Sequence, residues 1–202
     1  MKLINQNVWN TYQFSQVLHL LGGSLINELS IHQNSIELKT TEKNVELLLW
    51  ILKYNSLCQF EQLVDIVVLD IPGKVYRFKL NYTLLSLKYN ARRVVSIKTS
   101  EIIAIRSINY LYKSAGWLER EVWDLYGIRF IGNSELRRIL TDYGFNGHPL
   151  RKDFPLTGFI EIYYDDENKR ILYEPVELSQ EYRVFNLQNP WNLSFTAKIS
   201  CE

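Results

Sequence analysis

Proline divides this chain before any other feature does. Four of its five prolines, Pro149, Pro155, Pro175 and Pro190, fall in the last third. A proline inside a helix removes one hydrogen bond and clashes with the preceding turn, so long helices are excluded there. Upstream of Gly127 the apolar residues instead recur with the periods of helices and strands. The expectation is a compact α+β domain over residues 1–127 and an extended arm over 128–202.

Within the first part, Phe14, Val17, Leu18 and Leu21 have helical spacing, and Gly22-Gly23 stops that helix. Segments 24–31 and 35–40 read as short strands around a Gln33-Asn34 turn. Thr41 is placed to cap the next helix, on which Val45, Leu48, Leu49 and Leu52 form one apolar stripe. VDIVVLD at 64–70 is β-branched and apolar, as a central strand is. Ile71-Pro72-Gly73-Lys74 has the residues of a type II turn. A strand then begins at VYRFKL (75–80), runs on through YTLLSLKY and turns at Asn90-Ala91 into RVVSIKT. A further helix carries Leu111, Ala115, Leu118, Val122 and Leu125 along one seam and ends at Gly127, a left-handed stop position. The pattern predicts a mixed, mainly antiparallel sheet with helices packed on one face.

In the arm, FIEIYY (159–164), DDENK and RILYEP (170–175) read as a β-hairpin with a polar loop, and a short helical turn is expected around Leu136–Leu140. Beyond those, the arm has many aromatic rings and no repeat pattern with which to bury them. It is expected to lie across another protein.

Charge and cysteine content remove several classes. Net charge is +1, which gives no bulk attraction to nucleic acid or to a membrane surface. Cys58 and Cys201 form no CxxC or Cys/His cluster, so the spacing for zinc or an iron–sulfur centre is missing. The longest apolar run, VELLLWIL at 45–52, is eight residues against the roughly twenty that a membrane span requires. The N-terminus lacks the pattern of a presequence or a signal peptide, as in a protein that is made where it works or has already been processed.

Three charged clusters have a chemical and a structural reading. Glu119, Arg120, Glu121 and Asp124 could form paired carboxylates for acid–base work. The structural reading, which the sequence favours, is a solvated or partner-facing helix surface with Arg120 and Asp124 paired four residues apart. Arg137, Arg138 and Asp142 offer guanidinium forks for carboxylates or phosphates, and without a glycine-rich phosphate loop acidic side chains are the better target. His148-Pro149-Leu150-Arg151-Lys152-Asp153-Phe154-Pro155 contains a conceivable His–Asp pair. The prolines instead favour an extended backbone that Arg151 and Asp153 lock to neighbouring charges, with Gly144 and Gly147 as turns. His19 and His32 read as ordinary histidines.

The runs ERE-V-WDLYGIRF (119–130) and ELRRILTDYGFNGHPLRKDFPLTGFIEIYYDDENKRILYEPVEL (135–178), then QEYRVF and PW, resemble in order and spacing the NADH dehydrogenase (ubiquinone) subunit 9 or iron–sulfur protein 3 family of respiratory complex I, which has a bacterial equivalent. The likeness is weaker through residues 82–99 and fades toward Met1. It implies a non-catalytic core subunit of the peripheral, matrix-side arm of proton-pumping NADH:ubiquinone oxidoreductase at the mitochondrial inner membrane. Such a subunit scaffolds the quinone-reducing module and has no membrane span and no nucleic-acid partner. The resemblance implies that the protein itself binds no cofactor. NADH, FMN, iron–sulfur clusters and ubiquinone would sit on other subunits, and its partners would be the quinone-site and iron–sulfur subunits. Glu119, Arg120, Glu121, Asp124, Gly127, Arg137, Arg138, Asp142, Tyr143, Gly144, His148, Pro149, Arg151, Lys152, Asp153, Phe154 and Pro155 then become motif or interface positions, none of them catalytic. Where the family usually carries His-Pro before the LRR run, this sequence has Gly132-Asn133-Ser134-Glu135. Asn can donate a hydrogen bond there but cannot titrate. The rival readings are the equivalent subunit of a related quinone-, ferredoxin- or hydrogenase-linked complex, and a free-standing acid–base enzyme.

Overall fold

The computed structural model describes residues 24–32 and 35–187. The expected helix over 10–21, His19, the Gln33-Asn34 turn, Cys201 and the His32 side chain lie outside what is described. Two compact units are present, one up to Leu156 and one from Thr157.

In the first unit, β1 (Glu28–His32), β2 (Ser35–Thr40), β3 (Gln62–Asp70), β4 (Phe78–Ser86) and β5 (Ala91–Thr99) form one sheet in the order β1-β2-β5-β4-β3. All neighbours are antiparallel except β2 and β5, as a mixed, mainly antiparallel sheet requires. β4 shows the period-2 rule plainly. Phe78, Leu80, Tyr82, Leu84 and Ser86 are buried, and the residues between them are half-exposed. β3 departs from that rule, because Leu63 and Ile66 are both buried although three apart. A bulge between Leu63 and Asp65 inserts one residue and restores the phase. β3 is also an edge strand and not the central one its composition suggests. Its solvent side carries Val64, Val67 and Leu69.

Two helices close the core. α1 (Val45–Tyr54) buries Val45, Leu48, Leu49 and Leu52, the stripe its spacing predicts. Its cap is Asn44, not Thr41. Thr41 contributes its carbonyl to the amides of Asn44 and Val45, so a turn precedes the helix. α2 (Ala115–Tyr126) begins four residues later than the seam suggests, with Leu111 buried in the preceding turn. It ends at Gly127, whose φ of 79° is left-handed. Two short strands, β6 (Ile105–Arg106) and β7 (Phe130–Ile131), pair in parallel and bracket α2.

The compact unit does not stop at Gly127. Ile128 and Phe130 belong to the core, and residues 137–154 are hydrogen-bonded back to α2 and to the β3–β4 turn. The segment 136–140 forms bends and no helix, because its amides bond a side chain and not the preceding turn. The second unit holds the expected hairpin, β8 (Ile160–Asp165) with β9 (Arg170–Pro175).

Candidate functional site

α2 buries charged residues beside Ala115 and Val122. Glu119 and Asp124 are fully buried, and Arg120 nearly so, which overturns the reading of this face as solvated. Burial of a carboxylate is costly unless donors surround it, and both have them. Glu119 accepts from the Ser107 hydroxyl at 2.6 Å, the Ile108 amide at 2.8 Å and the Asn133 amide group at 2.8 Å. Burial pushes its carboxyl up, and these three bonds only partly oppose that. Asn133, at the departure from the family pattern, is thus a neutral donor that ties the β7 loop to α2.

Asp124 gathers the residues after β7. Its Oδ2 accepts the backbone amides of Ile139, Leu140 and Thr141 at 2.9–3.1 Å. Its Oδ1 accepts the Thr141 hydroxyl at 2.6 Å and Arg138 Nη1 at 2.8 Å. Burial alone would raise this carboxyl, but the Thr141 hydroxyl and amide, the Leu140 amide and Arg138 outweigh it and hold the pKa well below the usual carboxylate range. Arg138 also donates to the Gly147 carbonyl and lies over the Trp123 and Phe145 rings.

Arg120 does not pair with Asp124, four residues on. Its guanidinium donates to the carbonyls of Arg137 and Arg138 and covers the Trp117 ring. The donors of the 138–141 bend fill Asp124 instead. Among the described residues, Arg137 pairs with Glu135 in solvent, and Glu121 is exposed. Asp142 caps the amide of Tyr143, whose ring is 98% exposed, and Gly144 lies in the same turn.

A second network clamps the His148–Pro155 segment. Arg77, in the β3–β4 turn, holds Asp70 through two bonds at 2.7 and 2.8 Å and also reaches Glu101 and Asp153. The amide of Lys152 donates to Asp70 at 2.8 Å. Arg151 donates to the Tyr126 carbonyl at 2.6 Å and pairs with Glu101. The Arg77 guanidinium holds the carboxyls of Asp70 and Asp153 low. His148 and Asp153 therefore do not meet. His148 Nδ1 lies 2.9 Å from the Asp124 carbonyl, and Asp153 faces Arg77. Phe154 rests on Phe145 and against Gly147, where a Cβ would stand 2.7 Å from its ring. The backbone between Pro149 and Pro155 is not extended as expected: it makes successive turns, in which the Arg151 amide donates to the His148 carbonyl and the Phe154 amide to the Arg151 carbonyl.

Arg77, Glu101 and Ser107 complete these networks from outside the runs 119–130 and 135–178, and Thr141, inside the second run, has no charge to mark it. Their signal is through-space only. Elsewhere an open groove of about 800 Å³ is lined by Lys43, Glu46, Leu47, Trp50, Arg106 and Tyr110. Its single carboxylate, Glu46, is occupied by Arg106 and the Tyr110 hydroxyl. Cys58 is buried away from it, and burial pushes its thiol up to about 11, so it stays protonated. Among the described residues, no group of three or more His, Cys, Asp or Glu converges as metal ligands, and no helix is long and apolar enough to cross a membrane.

The sheet with two helices on one face, followed by a charge-stitched irregular segment, defines a structural α+β module whose motif residues bond one another. Residues 38–160 match the family described as the respiratory-chain NADH dehydrogenase 30 kDa subunit, and the protein belongs to that family. NADH-ubiquinone oxidoreductase subunit 9 of Acanthamoeba castellanii is 52% identical over 158 residues, which span 78% of this sequence and 80% of that relative. NADH-ubiquinone oxidoreductase subunit 9 of Reclinomonas americana is 46% identical over 166 residues, spanning 82% and 81%. The solved trypsin-resistant fragment (1–134) of Nqo5 superposes with a TM-score of 0.50 at 26% identity, covering 61% of this sequence and 99% of the fragment.

Proposed function

We propose that this protein is a structural subunit of the peripheral arm of a proton-pumping NADH:ubiquinone oxidoreductase, on the matrix side of the mitochondrial inner membrane and made within the organelle. It holds the quinone-reducing module in place. Electrons pass from NADH to ubiquinone through FMN and iron–sulfur clusters on other subunits. The observation that carries this reading is where the motif charges go. Glu119, Asp124, Arg138 and Arg151 bond backbone groups, Asp124 and Arg138 also bond each other, and Asp153 pairs with Arg77. They order residues 128–156 as a rigid platform, and none of them lines the open groove.

The residues from Thr157 onward are the partner-binding arm. Large apolar side chains, including Phe159, Tyr182, Val184, Phe185 and Leu187, are more than half exposed there, a condition that apolar surface leaves by burial against another polypeptide. That the solved Nqo5 fragment is described as trypsin-resistant and ends at residue 134 of that protein fits an arm separable from its domain.

Arg151→Ala tests the role. It releases the Tyr126 carbonyl and Glu101, so it is expected to lower the amount of assembled complex on a native gel while NADH:ubiquinone turnover per assembled complex stays within about twofold of wild type. A fully assembled enzyme with depressed turnover would contradict a scaffold.

A further inference from the structure

The register of the β8–β9 ribbon segregates its side chains. Ile160 faces Pro175, Ile162 faces Tyr173, and Tyr164 faces Ile171. Cross-strand partners share a face, so these six residues make one continuous apolar face. Ile160, Ile162, Tyr164, Ile171 and Tyr173 are each at least half exposed. A lone two-stranded ribbon cannot bury such a face against itself.

The opposite face pairs Tyr163 with Leu172 and Asp165 with Arg170, and it is acidic at its open end. Glu161 stands directly across from Glu174, an arrangement in which like charges repel and weaken the ribbon. The Tyr163 hydroxyl donates to Glu174 at 3.0 Å. No ion pair among the described residues neutralises either carboxylate, whereas Asp165 in the turn has Asn168 and the Glu167 amide. From Thr157 to Leu187 the sequence has seven carboxylates against Lys169, Arg170 and Arg183, a net charge of −4 in a protein of net +1. The repelling pair costs the free hairpin stability, and a cation from outside would turn it into an attraction.

We propose that this hairpin seats in a slot on another protein subunit, with an apolar floor under Ile162, Tyr164, Ile171 and Tyr173 and a wall of lysine or arginine side chains that take Glu161 and Glu174. The proposal rests on the subunit reading above and names the chemistry of the surface that receives the arm. A flat apolar patch would satisfy only one face of the ribbon, and a basic patch only the other.

The test uses the intact protein expressed in cells that assemble the complex. Benzoylphenylalanine at position 173 or 164, irradiated in the native assembly, should cross-link to another subunit, at a peptide of apolar residues bordered by Lys or Arg. Glu161→Gln separates docking from folding, because it relieves the repulsion and leaves the ribbon itself at least as stable. It should nevertheless make the protein leave the complex more readily as salt is raised, with about tenfold weaker retention, in line with the loss of one desolvated charge pair. Tyr173→Asp should lose assembly at every salt concentration. Cross-links confined to the protein's own residues, or Glu161→Gln retained as well as wild type across the salt series, would overturn the proposal. Wild-type protein that never co-migrates with an NADH-oxidising assembly would overturn the subunit reading and this proposal with it.

Discussion

Asp124 accepts five hydrogen bonds while fully buried. Replacing one of its oxygens by an amide turns a donor toward donors. Asp124→Asn is expected to cost about 3 kcal/mol or more of unfolding free energy in urea titrations, the scale for removing one side of a buried charged pair. The folded pKa values of Asp124 and Asp70 both lie below their ordinary value. Their contribution to stability is therefore complete above about pH 4 and is lost as pH falls through the lower folded values. The Asn variant should show a shallower acid limb as well as a lower plateau. His148 works at a different pH. Burial and the nearby Arg151 and Arg138 charges hold its imidazole below the ordinary value, with its bond to the Asp124 carbonyl opposing them. The unfolded polypeptide takes up that proton first, so stability declines as pH falls from about 6.5 toward the lower folded value. His148→Gln should remove that part of the slope, read from melting temperature against pH.

At the scale of elements, the end of α2 and the β3–β4 turn decide whether the irregular segment closes. Gly127 adopts φ +79°, and a Cβ there would lie 2.5 Å from Arg151 Nη2 and 2.6 Å from His148 Nε2. Gly127→Ala incurs left-handed strain and pushes both side chains off their carbonyls. A loss of about 2 kcal/mol is expected, visible as a lower midpoint in urea. Arg77→Ala removes the anchor of Asp70 and Asp153 and should accelerate tryptic cleavage after Arg151 or Lys152, timed by mass spectrometry, without changing the helix signal. The α1 stripe, the β4–β5 pair and the β8–β9 hairpin are legible in the sequence because their periods are local. The edge position of β3 is not, since an apolar, β-branched run is shared by central strands and by an edge strand whose bulge keeps Leu63, Ile66 and Val68 inward. Nor is the start of α2, because Leu111 is buried from a turn as effectively as from a helix.

For the molecule as a whole, the boundary at Leu156 has a direct consequence. A truncation ending at Leu156 should melt within a few degrees of the full-length protein in circular dichroism. A truncation ending at Gly127 leaves Asp124 without the 138–141 amides and Asp70 without the Lys152 amide, and should melt far lower or fail to fold. Composition and periodicity by themselves determined the α+β class, the hairpin and, among the described residues, the absence of long helices after Gly127, because propensity, hydrophobic spacing and proline geometry act between near neighbours in the sequence. The order of charges and aromatics carried the family as well. Only the tertiary structure decided that Glu119 and Asp124 are interior, that Arg138 and not Arg120 meets Asp124, and that Arg77 reaches Asp153 across 76 residues. A charge selects its partner by distance and by the water it has lost, and neither quantity exists until the polypeptide has folded.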